Sequence, residues 1–262
     1  MSTRNSPWPA GTPSWVDLAC TDVEASAGFY RSVLGWEAVR LGPEFGAGPF
    51  LQFLAGGRVA AGAGPAGRGP TGWHLFVATD DAAATCAAAA AAGARVLLPA
   101  RPVGDHGTLA ALLDPAGVPL GLWQADRHPG ARVVDEPGAL VWCDLRSPDP
   151  AASRGFCAEV FGWSSGELAD GWGAVSSPGA ERPVGGIGPA RGGRPGWLVH
   201  FGVADCDAAA AAARAAGGTV LRAPRDTPLG RVAELADPEG ALLAVVAGGR
   251  VRQPEPQGPG RG

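Results

Sequence analysis

The segment from Trp15 to Trp36, WVDLACTDVEASAGFYRSVLGW, is written a second time from Trp142 to Trp163 as WCDLRSPDPAASRGFCAEVFGW. Each copy opens with residues that alternate in polarity, the period of a half-buried strand. An Asp then stands where a helix begins. Asp22 is placed as the N-cap, with Val23, Ala27, Tyr30 and Leu34 on one helical face and Gly35 as the stop, and Asp149, Phe156, Val160 and Gly162 repeat the pattern. Both Trp residues, both capping Asp residues and both stopping Gly residues recur at one common spacing. That regularity predicts a duplicated domain. The boundaries read as a tail over 1–12, a first domain over 13–125, a linker over 126–137, a second domain over 138–247 and a tail over 248–262.

At 262 residues the chain has length for two ordinary domains, each able to bury a core. The net charge of −4 and the absence of any run of like charge argue against nucleic acid as a partner. All 21 cationic residues are Arg, which excludes Schiff-base chemistry, a pyridoxal-phosphate anchor and a phosphate-loop lysine. Cys20, Cys86, Cys143, Cys157 and Cys206 are odd in number and unmatched between the repeats, so a reduced, cytoplasmic protein is expected. No apolar run has membrane-spanning length, so no membrane partner is expected.

Along each half the pattern runs strand, capped helix, three strands, then the same again. A hairpin turns at Gly56-Gly57, a second unit opens at Gly72, and the turn Asp114-Pro115-Ala116-Gly117 leads into a last strand. Gly196-Trp197 and Asp237-Pro238-Glu239-Gly240 answer in the second half.

A helix capped by Asp and closed by Gly-Trp, with a later Asp-Pro-x-Gly turn into a terminal strand, resembles the vicinal oxygen chelate superfamily, which includes glyoxalases, bleomycin-resistance proteins and extradiol dioxygenases. The resemblance covers 13–125 and 138–247. It implies an α+β fold of two tandem glyoxalase-like domains, each of paired βαβββ units curling into an open cup with helices outside. It also implies where a metal would be held. The family's first ligand position falls at Trp15 and Trp142, the second at His74 and Leu198, and the third at Gly121 and Ala244. The fourth lies around 60–62 and 185–187. One ligand in the first half and none in the second do not make a metal site, so no metal and no other cofactor is expected.

Strand alternation puts Trp15, Asp17 and Ala19 on the inner face of the first cup, with His74 and Phe76, and places Trp123 beside Gly121. Trp142, Asp144, Arg146, Leu198 and His200 face the second cup. Asp17 with His74, and Asp144 with His200, are candidate acid/base pairs, in which a carboxylate raises the basicity of an imidazole. Trp15, Phe76, Trp123, Trp142, Arg146 and Leu198 are candidate ligand contacts, the indoles as flat walls. Trp36, Trp73, Trp163 and Trp197 read as packing. His106 and His128, in a loop and the linker, are read as inert, and the face of Glu234 is left open. Gly62-Ala-Gly64-Pro-Ala-Gly67 matches a dinucleotide motif but precedes no helix, and Gly162-Trp-Ser164-Ser-Gly166 matches an esterase elbow but follows one.

The reading that results is a metal-independent enzyme acting on a small aromatic or polyketide-like metabolite by acid/base chemistry of the cyclase, isomerase, lyase or hydrolase type. The alternatives are a protein that sequesters its ligand, as bleomycin-resistance relatives do, and a metal-dependent glyoxalase or dioxygenase. The expected partner is a small organic molecule. A homodimer, and the pairing of units within or across the halves, are left open.

Overall fold

The computed structural model describes residues 2–42, 48–67, 69–191 and 193–248. Within them a two-residue strand, β1 (Ser2–Thr3), precedes the first half. That half contains β2 (Pro13–Cys20), α1 (Val23–Leu34), β3 (Glu37–Arg40), β4 (Leu51–Ala55) and β5 (Arg58–Pro65). It continues with β6 (Gly72–Ala78), α2 (Ala82–Ala91), β7 (Arg95–Val103), β8 (Gly107–Leu113) and β9 (Pro119–Ala125). After β10 (Val133–Val134) the second half follows the same order. It runs β11 (Leu140–Ser147), α3 (Pro150–Phe161), β12 (Ser164–Glu167), β13 (Gly173–Ser176), β14 (Gly185–Pro189), β15 (Gly196–Val203), α4 (Cys206–Ala215), β16 (Thr219–Thr227), β17 (Gly230–Ala236) and β18 (Leu242–Ala247).

The helices begin where the sequence says they should. Asp22, Asp81, Asp149 and Asp205 each accept two backbone N–H groups of the following turn, satisfying donors that a helix cannot bond itself. Gly35 and Gly162 close α1 and α3 at φ of 69° and 67°, a conformation that costs a residue with a Cβ.

Each half builds its own eight-stranded sheet, in the order β3-β4-β5-β2-β6-β9-β8-β7 and β12-β13-β14-β11-β15-β18-β17-β16. The two βαβββ units of a half meet at one antiparallel pair, β2 with β6 or β11 with β15. The cups therefore close within their own halves, and what crosses between the halves is the helical side. Tyr30 on α1 donates to Asp237 at 3.0 Å, and Ser153 on α3 donates to Asp114 at 2.6 Å. Asp114 and Asp237 are the buried heads of the two Asp-Pro-x-Gly turns, where Asp114 also accepts the backbone N–H of Val118, and Asp237 those of Glu239 and Ala241. Phe201 of the second half packs edge-on against Trp36 and Trp73 of the first, at 4.9 and 5.1 Å between centroids. Trp36, Trp163 and Trp197 donate to the carbonyls of Gly138, Gly11 and Pro119, all across the junction between segments. One hydrophobic core runs through both halves.

The segment read as a tail over 1–12 makes defined contacts with the segment read as the linker. β1 pairs antiparallel with β10, Arg4 stacks on Trp8 at 4.6 Å, and Trp8 donates to the carbonyl of Ala131 at 3.0 Å. Short polar segments gave no periodicity to read, yet the N-terminal segment and 126–137 satisfy each other's backbone groups. Of the tail read over 248–262, all but Gly248 lies outside the described residues.

Candidate functional site

In the first cup, Asp17 stands at the centre of the sheet. β5 runs parallel on one side with Gly62 opposite it, and β6 runs antiparallel on the other with His74 opposite it. Residues opposed across an antiparallel pair, as Asp17 and His74 are, bring their Cβ atoms to roughly 5 Å. Gly62 gives the carboxylate room: a Cβ there would sit 2.1 Å from Asp17 Oδ1. The Trp15 indole N–H donates to the same oxygen at 2.8 Å. Burial raises the Asp17 pKa to about 6, against the opposing effect of the indole bond. Burial lowers His74, which faces the hollow with no hydrogen bond to another described residue.

Trp15, Asp17, His74, Phe76 and Trp123 all line one cavity of about 280 Å³, walled further by Leu41, Phe50, Leu51, Val103 and Leu109. Gln52 and His128 supply the other polar side chains. His128 is the residue that the sequence reading dismissed. It lies edge-on to Trp15, with centroids 4.5 Å apart, and near Trp123 at 5.5 Å. Its carbonyl accepts from the Trp123 indole at 2.8 Å, and its N–H from the linker side bonds the carbonyl of His106. The linker thereby folds over the rim of the cup. Burial lowers the His128 pKa to about 4, with a smaller contribution from His106 and Arg132, so the ring is neutral at pH 7. Spacing along the chain carries no sign of this, because a loop has no period.

The second cup repeats the frame. Trp142 donates to Asp144 Oδ1 at 2.7 Å, and Gly186 opposes Asp144 across the parallel pair. Its interior differs. Trp172 lies across Gly186 and Gly188, where an added Cβ would meet the indole at 3.2 and 2.2 Å. Leu198 packs with Val232, Ala244 and Val246. His200 is buried, with Nδ1 3.1 Å from the carbonyl of Leu198 and Nε2 3.6 Å from Asp144 Oδ2, too far for a hydrogen bond. Burial raises Asp144 and lowers His200, each partly offset by the other. Glu234 is buried on the inner face, where Arg146 donates to it at 2.7 Å.

Among the described residues, neither cup brings together a set of side chains suited to hold a metal. The Trp15 and Trp142 indoles are donors already committed to carboxylates. At Gly121, a Cβ would lie 2.3 Å from the Phe76 ring, so the aromatic side chain fills the space where a third ligand would reach inward. Among the described residues no three of His, Cys, Asp or Glu are grouped to hold an ion.

Two cups in one chain, each of paired βαβββ units around an inner face, define a tandem protein of the vicinal oxygen chelate superfamily. The family model described as a glyoxalase-like domain matches residues 15–122 and 141–246, and the chain belongs to that family. It is 38% identical over 253 residues to the protein named "Putative glyoxylase CFP32" of Mycobacterium tuberculosis, covering 93% of this chain and 97% of that one. It is 35% identical over 266 residues to the anthracycline biosynthesis protein DnrV of Streptomyces peucetius, covering 93% and 94%. Its fold is similar to the Mn(II)-bound glyoxalase of Novosphingobium aromaticivorans, with a TM-score of 0.68 at 19% identity over 90% of this chain and 81% of that one. The 2,3-dioxygenase LapB of Pseudomonas sp. KL28 also gives 0.68, at 15% identity over 97% of each. At such identities the likeness is one of fold. No helix among the described residues is long and apolar enough to cross a membrane.

Proposed function

We propose that the first cup binds a small, planar, uncharged organic molecule of aromatic or polyketide type and transfers a proton on it without a metal. The observation that carries this reading is the composition of the cavity. Its described lining is apolar and aromatic, with one charged group, Asp17, and two imidazoles whose pKa values burial lowers. A carboxylate near pKa 6 is mostly ionised at pH 7 yet more basic than an ordinary Asp, which suits a general base. A neutral His74 or His128 can donate to an oxygen on which charge develops. Indole and phenyl walls favour a flat ligand, and about 280 Å³ is near the lower end of ordinary ligand pockets. The relative named for anthracycline biosynthesis supports an aromatic polyketide as the class to try first.

The reading is tested by melting the protein against a panel of hydroxyanthraquinones and anthracycline aglycones, then following any stabilising compound for conversion. A ligand at a hundred times its dissociation constant stabilises by about 2.7 kcal/mol. Asp17→Asn and His74→Ala are expected to abolish conversion while binding falls little. A second reading, sequestration, is favoured by the Trp-to-Asp hydrogen bond recurring in the packed second cup, since a bond kept there serves the fold. Tight binding with no product from any compound would select it.

A further inference from the structure

The interior of the second cup holds charges that its duplicate lacks. Glu234 on β17, with its side chain 8% exposed, is approached by three guanidinium groups. Arg146 on β11 donates to Oε2 at 2.7 Å. Arg222 Nε and Arg225 Nη2, both on the edge strand β16, lie 3.5 and 3.7 Å from Oε1. The last two distances are too long for good hydrogen bonds, and neither side chain has a hydrogen bond to another described residue. Three guanidinium groups against Glu234, with Asp144 also in the field of Arg146, leave an excess of positive charge, and the N–H groups of Arg222 and Arg225 turn toward one carboxylate oxygen. The other carboxylate of this cup, Asp144, is engaged by Trp142 and faces His200.

The fold does not require this cluster. The strand registers place Ala19 where the second half has Arg146, Leu98 where it has Arg222, Arg101 where it has Arg225 and Ala111 where it has Glu234. Both edge strands break register at the same two places, so one backbone path presents Leu98 and Arg101 in the first half and a pair of arginines in the second. Guanidinium forks are suited to planar oxyanions, which they can hold by two parallel hydrogen bonds.

We propose that Arg222 and Arg225, backed by Arg146 and held in place by Glu234, form an oxyanion site at the edge of the second cup, for the carboxylate or phosphate group of a small molecule. Glu234 sets the position of the arginines and keeps the empty site from repelling itself apart. An arriving anion takes the donors that Glu234 leaves unsatisfied.

The test is calorimetric titration of the full chain at fixed ionic strength with inorganic phosphate and with salicylate. Saturable binding of either is expected. Salicylate binding more tightly identifies a carboxylate on an organic molecule, and phosphate binding at least as tightly identifies a phosphate group. The Arg222→Gln/Arg225→Gln pair, both exposed, is expected to weaken binding tenfold or more. Arg101→Gln, at the corresponding place in the first half, is expected to leave it unchanged. Glu234→Gln is the most discriminating variant: the amide keeps an oxygen that can accept from Arg146 and hold the cluster in place, but removes the competing negative charge, so anion affinity should rise, an outcome that a purely structural salt bridge does not produce. Absence of saturable binding by both anions, equal affinity in the double arginine variant, or weaker binding in a folded Glu234→Gln protein would each overturn the proposal.

Discussion

Asp17 and Asp144 occupy matching places: each accepts an indole N–H from two residues before it and lies beside a strand glycine that yields it room. Around them the cups diverge. The first keeps an opening between Phe50, Phe76 and the two indoles, and the linker brings His128 to its rim. The second lays Trp172 over two glycines, replaces His74 by Leu198, and carries a carboxylate ringed by arginines. The Trp-x-Asp pair over a glycine is thus the frame that duplication copied, and the residues set upon it are what was free to change. One half keeps an open hollow with a largely apolar lining. The other became polar and more filled.

The largest effect that would sharpen this contrast is catalytic. Asp17→Asn should lower turnover of a cognate compound by about a hundred- to ten-thousand-fold, the range for a lost general base, whereas Asp144→Asn should change it by less than about threefold. In the wild type, kcat/KM should climb with pH through about 6 as Asp17 ionises. Equal loss from both substitutions would break the division between the cups.

Next in size is the effect of the same carboxyl on stability. Folded Asp17 keeps its proton up to about pH 6, while the unfolded chain loses it near 3.8, so between these values the folded state binds more protons. Stability from this group is full below pH 4, falls as pH rises through 6, and is level above. A shift of this size amounts to about 3 kcal/mol at most. Asp17→Asn should therefore gain up to that amount over wild type between pH 4 and 7.5 in urea titrations. A buried carboxyl that destabilises its own fold is the signature expected of a group held for function.

The glycines rank third. A methyl at Gly62 would meet Asp17 Oδ1 at 2.1 Å, and one at Gly186 would meet Asp144 Oδ1 at 2.8 Å. Gly62→Ala should cost about 2–3 kcal/mol and Gly186→Ala about 1, measured by chemical denaturation, since overpacking of this kind costs about 1–3 kcal/mol.

What the sequence made legible follows the same line between frame and filling. The repeat, the Asp caps and the Gly-Trp exits carry strict spacing, so the helices, strands and inner-face residues could be placed: Trp15, Asp17, His74, Phe76 and Trp123 do share one cavity. Period 2 says which face a side chain takes, but not how far another ring reaches across the same space. For that reason Trp172 over Gly186 and Gly188, and Phe50 over Gly64, were invisible before the fold. The side of Glu234 was undecided because Val232, Glu234 and Ala236 share one face whichever way it points. Only pairing with Arg222 and Ala244 turned it inward.

His128 gives the smallest expected effect and separates two ways of making a cup wall. Its edge contacts with Trp15 and Trp123 could be supplied by Phe, which has a similar shape but no ring nitrogen. If the residue served only to close the rim, His128→Phe would bind ligand as the wild type does, because such aromatic pairs contribute about 0.5–1.5 kcal/mol regardless of the nitrogen. A ring whose pKa burial holds near 4 is instead a neutral donor and acceptor placed over an apolar hollow with few other polar groups. One hydrogen bond to the ligand contributes about 1 kcal/mol. His128→Phe should accordingly weaken binding about fivefold, with His128→Asn weakening it less. Neither should alter the pH profile between 5 and 8, where His128 stays uncharged and Asp17 titrates. A pH limb that disappears with His128 would move the acid/base role from the strand carboxylate to the linker.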